Sequence, residues 1–214
     1  EEFIGCDILS MDKDKRIVAF EKNRGKFKTR NVSLEAYVMT KKLFLELVRK
    51  AANTSSLYWF KDILADSCDD LRINGYAFKG TVYCINSLRS YFKANIELRT
   101  HAKARELFKE DWPIHTRTND SAPSQYMPEA KIRGCSIANG CHIEGSVENC
   151  VIGRNVIIKS GAVVKNSVIL PGAYIGEGAK LDHVIVDKAA IVNHVKKLVG
   201  TDDSPIYVKR RDRI

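Results

Sequence analysis

Short apolar runs recur through the last third of the chain, and one position from each gives Ile137, Ile143, Ile152, Ile158, Val164, Leu170, Ile175 and Leu181. Six of the seven steps are five or six residues, and Ile143 to Ile152 takes nine. A second series lies four places on, at Val147, Val156, Ala162, Val168, Ala179 and Ile185. A period near six is neither helical nor the alternation of a half-buried strand. It predicts a left-handed parallel β-helix of hexapeptide repeats, each hexad a short strand and a turn, three hexads to the coil. The first series points into the core, and the second must be small or β-branched because it lies near a corner. Gly140, Gly153, Gly161, Gly172, Gly176 and Gly178 are expected at those corners, where positive φ is open to glycine. The spacing predicts a start near Lys131 and roughly three coils.

Upstream the pattern changes. Arg16–Phe20, Tyr37–Met39, Ile73–Phe78 and Thr81–Ile85 are predicted strands. Thr40 is placed to cap a helix through Ala52, with Leu43, Phe44, Leu47, Val48 and Ala51 on its apolar face. A second helix is predicted over about 58–67. Ser87 is placed to cap a long helix carrying Leu88, Tyr91, Phe92 and Ile96. Trp112, Pro113, Pro123 and Pro128, with Ser, Asn and Asp between them, predict an extended connector. The expected organisation is an α/β segment over 1–111, a connector over 112–130, and a β-helix with a C-terminal tail over 131–214.

Charge and cysteine content narrow the class. The net charge of +9 is uneven, for residues 13–30 carry eight basic and two acidic side chains. From Lys22 through Arg24, Lys26 and Lys28 to Arg30 every second residue is basic, so an extended strand would line them on one face. That face is a candidate site for a phosphorylated sugar or effector; a solvated edge strand is the plainer reading of the same charges. Stacking aromatics do not interleave with them, which argues against nucleic acid. The six cysteines form no CxxC pair and have apolar neighbours, as expected of reduced thiols in a cytoplasmic protein. Neither a membrane-spanning run nor a leader is read, and Glu1 in place of methionine suggests a piece of a longer protein.

The order of α/β segment, Trp112-Pro-Ile-His-Thr116 connector and short hexapeptide β-helix resembles the C-terminal half of the ADP-glucose pyrophosphorylase (glucose-1-phosphate adenylyltransferase) family, most closely its GlgD-type subunit. The resemblance implies part of a nucleotidyltransferase α/β domain, with a β-helix that serves assembly and regulation. It implies that ATP and magnesium belong to the family's active subunit, with no cofactor held by this chain. The expected partners are a catalytic pyrophosphorylase subunit or further copies, joined through the β-helix, and a phosphorylated sugar.

Motif by motif, the resemblance is partial. Phe20-Glu21-Lys22-Asn23 stands where the family has Phe-x-Glu-Lys-Pro, whose lysine meets the sugar phosphate, so Lys22 and Glu21 are candidate contacts. Ser33-Leu34-Glu35-Ala36-Tyr37 stands for Ser-Met-Gly-Ile-Tyr; Ser33 is a candidate for a sugar hydroxyl, and Glu35 replaces glycine. Lys61-Asp62-Ile63 keeps the end of an Asp-Phe-Gly-Lys-Asp-Ile motif. Val82-Tyr83-Cys84-Ile85-Asn86-Ser87 stands for Trp-x-Asp-Val-Gly-Thr, putting Cys84 where the metal-binding Asp is expected. The chain is therefore expected to be a regulatory or weakly catalytic partner in glycogen biosynthesis.

A β-helix is open to three other readings. A hexapeptide acyltransferase would use a coil-boundary histidine, with His142 and His183 as candidates. A metal site of the three-histidine kind would need His142, His183 and His194 to converge. A purely structural scaffold is opposed by the connector sequence.

Overall fold

A computed structural model describes residues 3–25, 31–53 and 60–214, which divide into two compact units with the chain boundary between Lys79 and Gly80. In the first unit a three-stranded antiparallel sheet has the order β2 (Ile17–Lys22), β1 (Asp7–Met11), β3 (Asn31–Val32). Helices α1 (Lys41–Asn53) and α2 (Phe60–Asp66) supply Leu47, Ile63 and Leu64, which pack with Phe20, Leu43 and Ala51. As predicted, Thr40 Oγ1 accepts the Leu43 N–H at 3.2 Å at the start of α1. Arg16 reaches past the end of α2, where Nη2 donates to the Cys68 carbonyl at 3.0 Å. A cation there suits carbonyls that have no partner within the helix.

Three predicted strands are absent. Tyr37–Met39 belongs to no ladder; Tyr37 and Met39 pack as side chains on the α1–α2 cluster. In 73–78 only Asn74 bridges to Arg16, flanked by Ile17 N–H to Ile73 O at 2.7 Å and Gly75 N–H to Lys15 O at 2.8 Å. Thr81–Ile85 forms no strand. β-Propensity marks residues that fit a pleated surface, and it does not provide a partner strand. Val38 is fully exposed and Tyr76 is 92% exposed, as side chains outside any ladder can be.

The second unit holds α3 (Leu88–Leu98), α4 (His101–Leu107) and the β-helix. These two helices thus group with the coils, whereas the sequence reading set them with residues 1–111. Ser87 Oγ accepts the Ser90 N–H and Ser90 Oγ accepts the Ser87 N–H, a reciprocal cap. The predicted long helix breaks at Thr100, whose ψ of 138° is extended.

Three faces of five parallel strands each build the β-helix, so the expectation of roughly three coils was short. The first face runs from Gln125–Tyr126, before the predicted start, to Ile191–Val192; the second from Lys131–Arg133 to Lys197–Val199; the third from Ser136–Ile137 to Ile206–Val208. Interior columns are Ile143, Ile158, Ile175 and Val192; Val147, Val164 and Leu181; and Ile152, Ile169, Val186 and Val208. The steps from Ile158 to Val164, Ile169 and Ile175 are six, five and six residues, which makes a coil of seventeen.

This shorter step corrects two assignments. The nine-residue gap after Ile143 is two steps, of four and five residues, through Val147, which is itself an interior residue of the second face, so the coil from Ile143 to Ile158 has fifteen residues. On the third face the interior residue is Ile169 rather than Leu170, so Val168 and Ile185 turn outward, where Phe92 of α3 covers them.

Corners explain the five-residue step. Between the second and third faces the chain passes through left-handed backbone at Gly134, Asn149, Asn166 and His183, one per coil. Asparagine tolerates that region better than most residues. Four of the six expected corner glycines have positive φ; Gly153 and Gly176 do not. At Gly153 an added Cβ would lie 2.7 Å from Pro171 N, so close approach between coils demands the glycine there.

Candidate functional site

The antiparallel sheet of the first unit brings two of the three sugar-phosphate candidates together. Lys22 pairs across β1 with Asp7, and the Ser33 N–H donates to the Asp7 carbonyl at 2.8 Å. Lys22, Asp7 and Ser33 therefore form one transverse row on one side of the sheet. Glu21 pairs with Ile8 and belongs to the opposite side, so it does not share this row. Asp7 was not anticipated: it lies fifteen residues before Lys22, and only the β1–β2 pairing joins them. Its carboxylate offsets the lysine charge and opposes any anion in the row.

Arg24 is exposed just beyond β2. Lys26, Lys28 and Arg30 lie outside the described residues. Asn23, standing where the family has proline, is buried and structural. Its backbone N–H donates to Cys6 O at 2.9 Å, a bond proline cannot make, and its Oδ1 accepts the Gly25 N–H at 2.9 Å. Ser33 Oγ accepts the Glu35 N–H at 3.2 Å, and Glu35 has φ of 55°. Glycine suits this left-handed turn, and here an exposed acid occupies it. An open pocket of about 450 Å³ is lined by Tyr37, Met39, Lys41 and Phe44, directly after this motif.

The coil histidines are engaged within the chain. His142 Nε2 lies 3.0 Å from Glu144 Oε1 and its Nδ1 lies 3.3 Å from Gln125 Oε1. His183 sits between Asp182 at 2.8 Å and Asp202 at 3.3 Å. Neither offers the free ring nitrogen of a general base. Among the described residues no three His, Cys, Asp or Glu side chains converge as a metal site. Among them also, no helix is long and apolar enough to cross a membrane.

The coils and their corners define a hexapeptide-repeat β-helix protein, and the GlmU-like C-terminal hexapeptide family matches residues 123–205. Beyond the coils, glucose-1-phosphate adenylyltransferase of Fervidobacterium nodosum is 29% identical over 187 residues, covering 86% of this chain and 45% of its own length. The Bacillus thuringiensis (strain Al Hakam) enzyme of that name is 28% identical over 86% of this chain and 50% of its own. Glycogen biosynthesis protein GlgD of Bacillus subtilis is 26% identical over 97% of this chain and 55% of its own. The chain spans about half the length of these relatives. The chain is thus similar to about half of glucose-1-phosphate adenylyltransferases and of a GlgD protein.

The family's magnesium is a poor fit to the residues present. Where the resemblance expects a metal-binding Asp stands Cys84, a partly buried thiol. Magnesium takes oxygen ligands, and a thiol is a soft donor.

Proposed function

We propose that this chain is part of a regulatory or weakly catalytic subunit of glucose-1-phosphate adenylyltransferase, acting in glycogen biosynthesis beside a catalytic partner in the cytoplasm. The observation that carries this reading is the GlgD protein's match over 97% of this chain, and Cys84, standing where the resemblance expects a metal-binding Asp, supports it. Nucleotidyl transfer needs a cation to offset charge building on the phosphates, and a missing metal ligand removes several kcal/mol of that stabilisation. Each 1.4 kcal/mol is about tenfold in rate. Glu35 at the family's glycine adds an acid near the sugar-phosphate row, and Asp7 adds another within it.

In this reading Lys22 and Ser33 retain the capacity to hold a sugar phosphate, and Arg24, Lys26, Lys28 and Arg30 supply attraction for a phosphorylated effector. The flat faces and ends of the β-helix are the surfaces for self-assembly or pairing with the catalytic subunit, since solenoid ends must be capped or paired. Assay of the full-length protein tests this directly. Alone it should make ADP-glucose orders of magnitude more slowly than a catalytic subunit, and when mixed it should change that subunit's rate or effector response. Robust magnesium-dependent turnover by the isolated protein would overturn the reading.

A further inference from the structure

One corner of the β-helix carries chemistry that the sugar-phosphate reading leaves unused. After the left-handed residue of each coil come Cys135, Cys150, Ser167 and Val184 in turn. The registers Arg133 to Glu148 and Ser136 to Val151 set Cys135 and Cys150 at equivalent places in adjacent coils. They touch: the Cys150 N–H donates to Cys135 Sγ at 3.4 Å. Adjacent strands lie about 4.8 Å apart, within the roughly 4.4–6.8 Å Cα separation of disulfides. The two thiols differ in access, Cys150 being 0% exposed and Cys135 partly exposed. Arg99, just past α3, reaches the same corner and donates to Asn149 O at 3.3 Å.

We propose that Cys135 and Cys150 form a redox-modified pair, in which Cys135 is attacked by hydroperoxides and Cys150 resolves the product into a disulfide between coils. The Cys135 thiolate attacks the peroxide oxygen, the O–O bond breaks, and the departing oxygen takes a proton and leaves as water or an alcohol. Cys135 becomes a sulfenic acid. The Cys150 sulfur then displaces its hydroxyl, which leaves as water with the Cys150 proton. Two electrons pass from the two thiols to the peroxide, and the S–S bond forms. The acidities of the pair suit these roles. The Cys150 thiol hydrogen bond, with backbone donors and the Arg99 charge, outweighs burial and holds Cys135 down at about 6. The same contact, together with burial, pushes Cys150 well above the ordinary thiol range. A thiolate is the reacting species, so Cys135 reacts first.

The test treats the full chain at pH 7 with equimolar hydrogen peroxide, blocks remaining thiols with a maleimide, and maps the peptides by mass. The expected result is one cross-linked peptide joining Cys135 to Cys150, with two of the six thiols lost and both regained on reduction. In Cys150→Ser, Cys135 should stop at a sulfenic acid that dimedone traps. Serine already occupies this corner one coil on, at Ser167, where its Oγ accepts the Val184 N–H at 3.1 Å, so the variant is expected to fold. Maleimide should also label Cys135 ~10-fold faster than Cys6 or Cys84 at this pH. Retention of all six thiols, a different pairing, or oxidation of Cys135 to a sulfinic acid without a cross-link would overturn the proposal.

Discussion

Phe92 of α3 and Ile185 of the third β-helix face bury one another, each left with 1% of its surface exposed. Val168 completes the contact, and Tyr91, Ile96, Val151 and Leu170 surround it. Face and helix thereby form one cooperative unit. Phe92→Ala should destabilise that unit by about 3–5 kcal/mol, the usual result of deleting a buried aromatic ring. The midpoint of urea unfolding should fall accordingly. A midpoint unchanged from wild type would show that α3 contributes nothing to the coils.

Glu35 should be worth less to the fold than the residue it replaces. Its left-handed φ of 55° costs a side chain roughly 1 kcal/mol. Glu35→Gly is expected to raise the thermal midpoint, whereas Glu35→Ala, which removes the charge but keeps the Cβ, should leave it near wild type. Equal gains in both variants would assign the effect to charge instead of backbone.

The Lys22–Asp7–Ser33 row predicts opposite effects from neighbouring residues. If it holds glucose 1-phosphate in the full-length protein, Lys22→Ala should weaken binding and Asp7→Asn should tighten it, each by several-fold. Salt should weaken binding in wild type, because exposed charges are screened beyond about 8 Å at physiological ionic strength. Calorimetry on the three proteins decides it: the row is not the site if both variants bind as wild type does.

A pH-dependent contribution is expected on the first face of the β-helix. Glu144 accepts from Lys159 Nζ and from the Ser160 N–H at 2.9 Å, and the lysine bond above all holds its carboxyl below the ordinary 4.5. The same bond raises Lys159 above 10.5. A lowered acid stabilises the fold above its ordinary pKa, and that contribution is lost as pH falls through the lowered value. A raised base stabilises below its ordinary pKa and loses the contribution as pH rises through the raised value. The difference in thermal midpoint between wild type and Glu144→Gln should therefore be full at pH 7 and vanish in strong acid. A difference independent of pH would mean that the ion pair is not its source.

Much of the β-helix was legible because one residue in every five or six must fill a narrow core. Ile143, Ile152, Ile158, Val164, Ile175 and Leu181 were all read as interior and all are buried. The misplaced positions share a cause. A strict hexad passes over the five-residue step at the asparagine corners, so Leu170 was chosen over Ile169. Val168 and Ile185 are buried for a second reason, a helix on the outside, and apolarity alone does not distinguish the two. Helix caps at Thr40 in the first unit and Ser87 in the second are readable from local sequence. Strands were less so, since pairing is decided by distant residues. For that reason Glu21 and Lys22, adjacent in sequence, part to opposite sides, while Asp7 enters the row unforeseen.

The seventeen-residue coil makes length a counted quantity in this protein. Each strand pairs only with its equivalents one coil above and below, so a change of length is absorbed only at a corner: Ile143 to Val147 is four residues where Ile158 to Val164 is six, and the columns stay in register. A whole coil added or removed keeps all three columns in register and changes the height by about 4.8 Å. The longer return between Val199 and Ile206 lies in the last full coil, where no further turn has to stack on it in register. Variation in size thus falls to whole coils and to the corners between faces, never to the strands themselves.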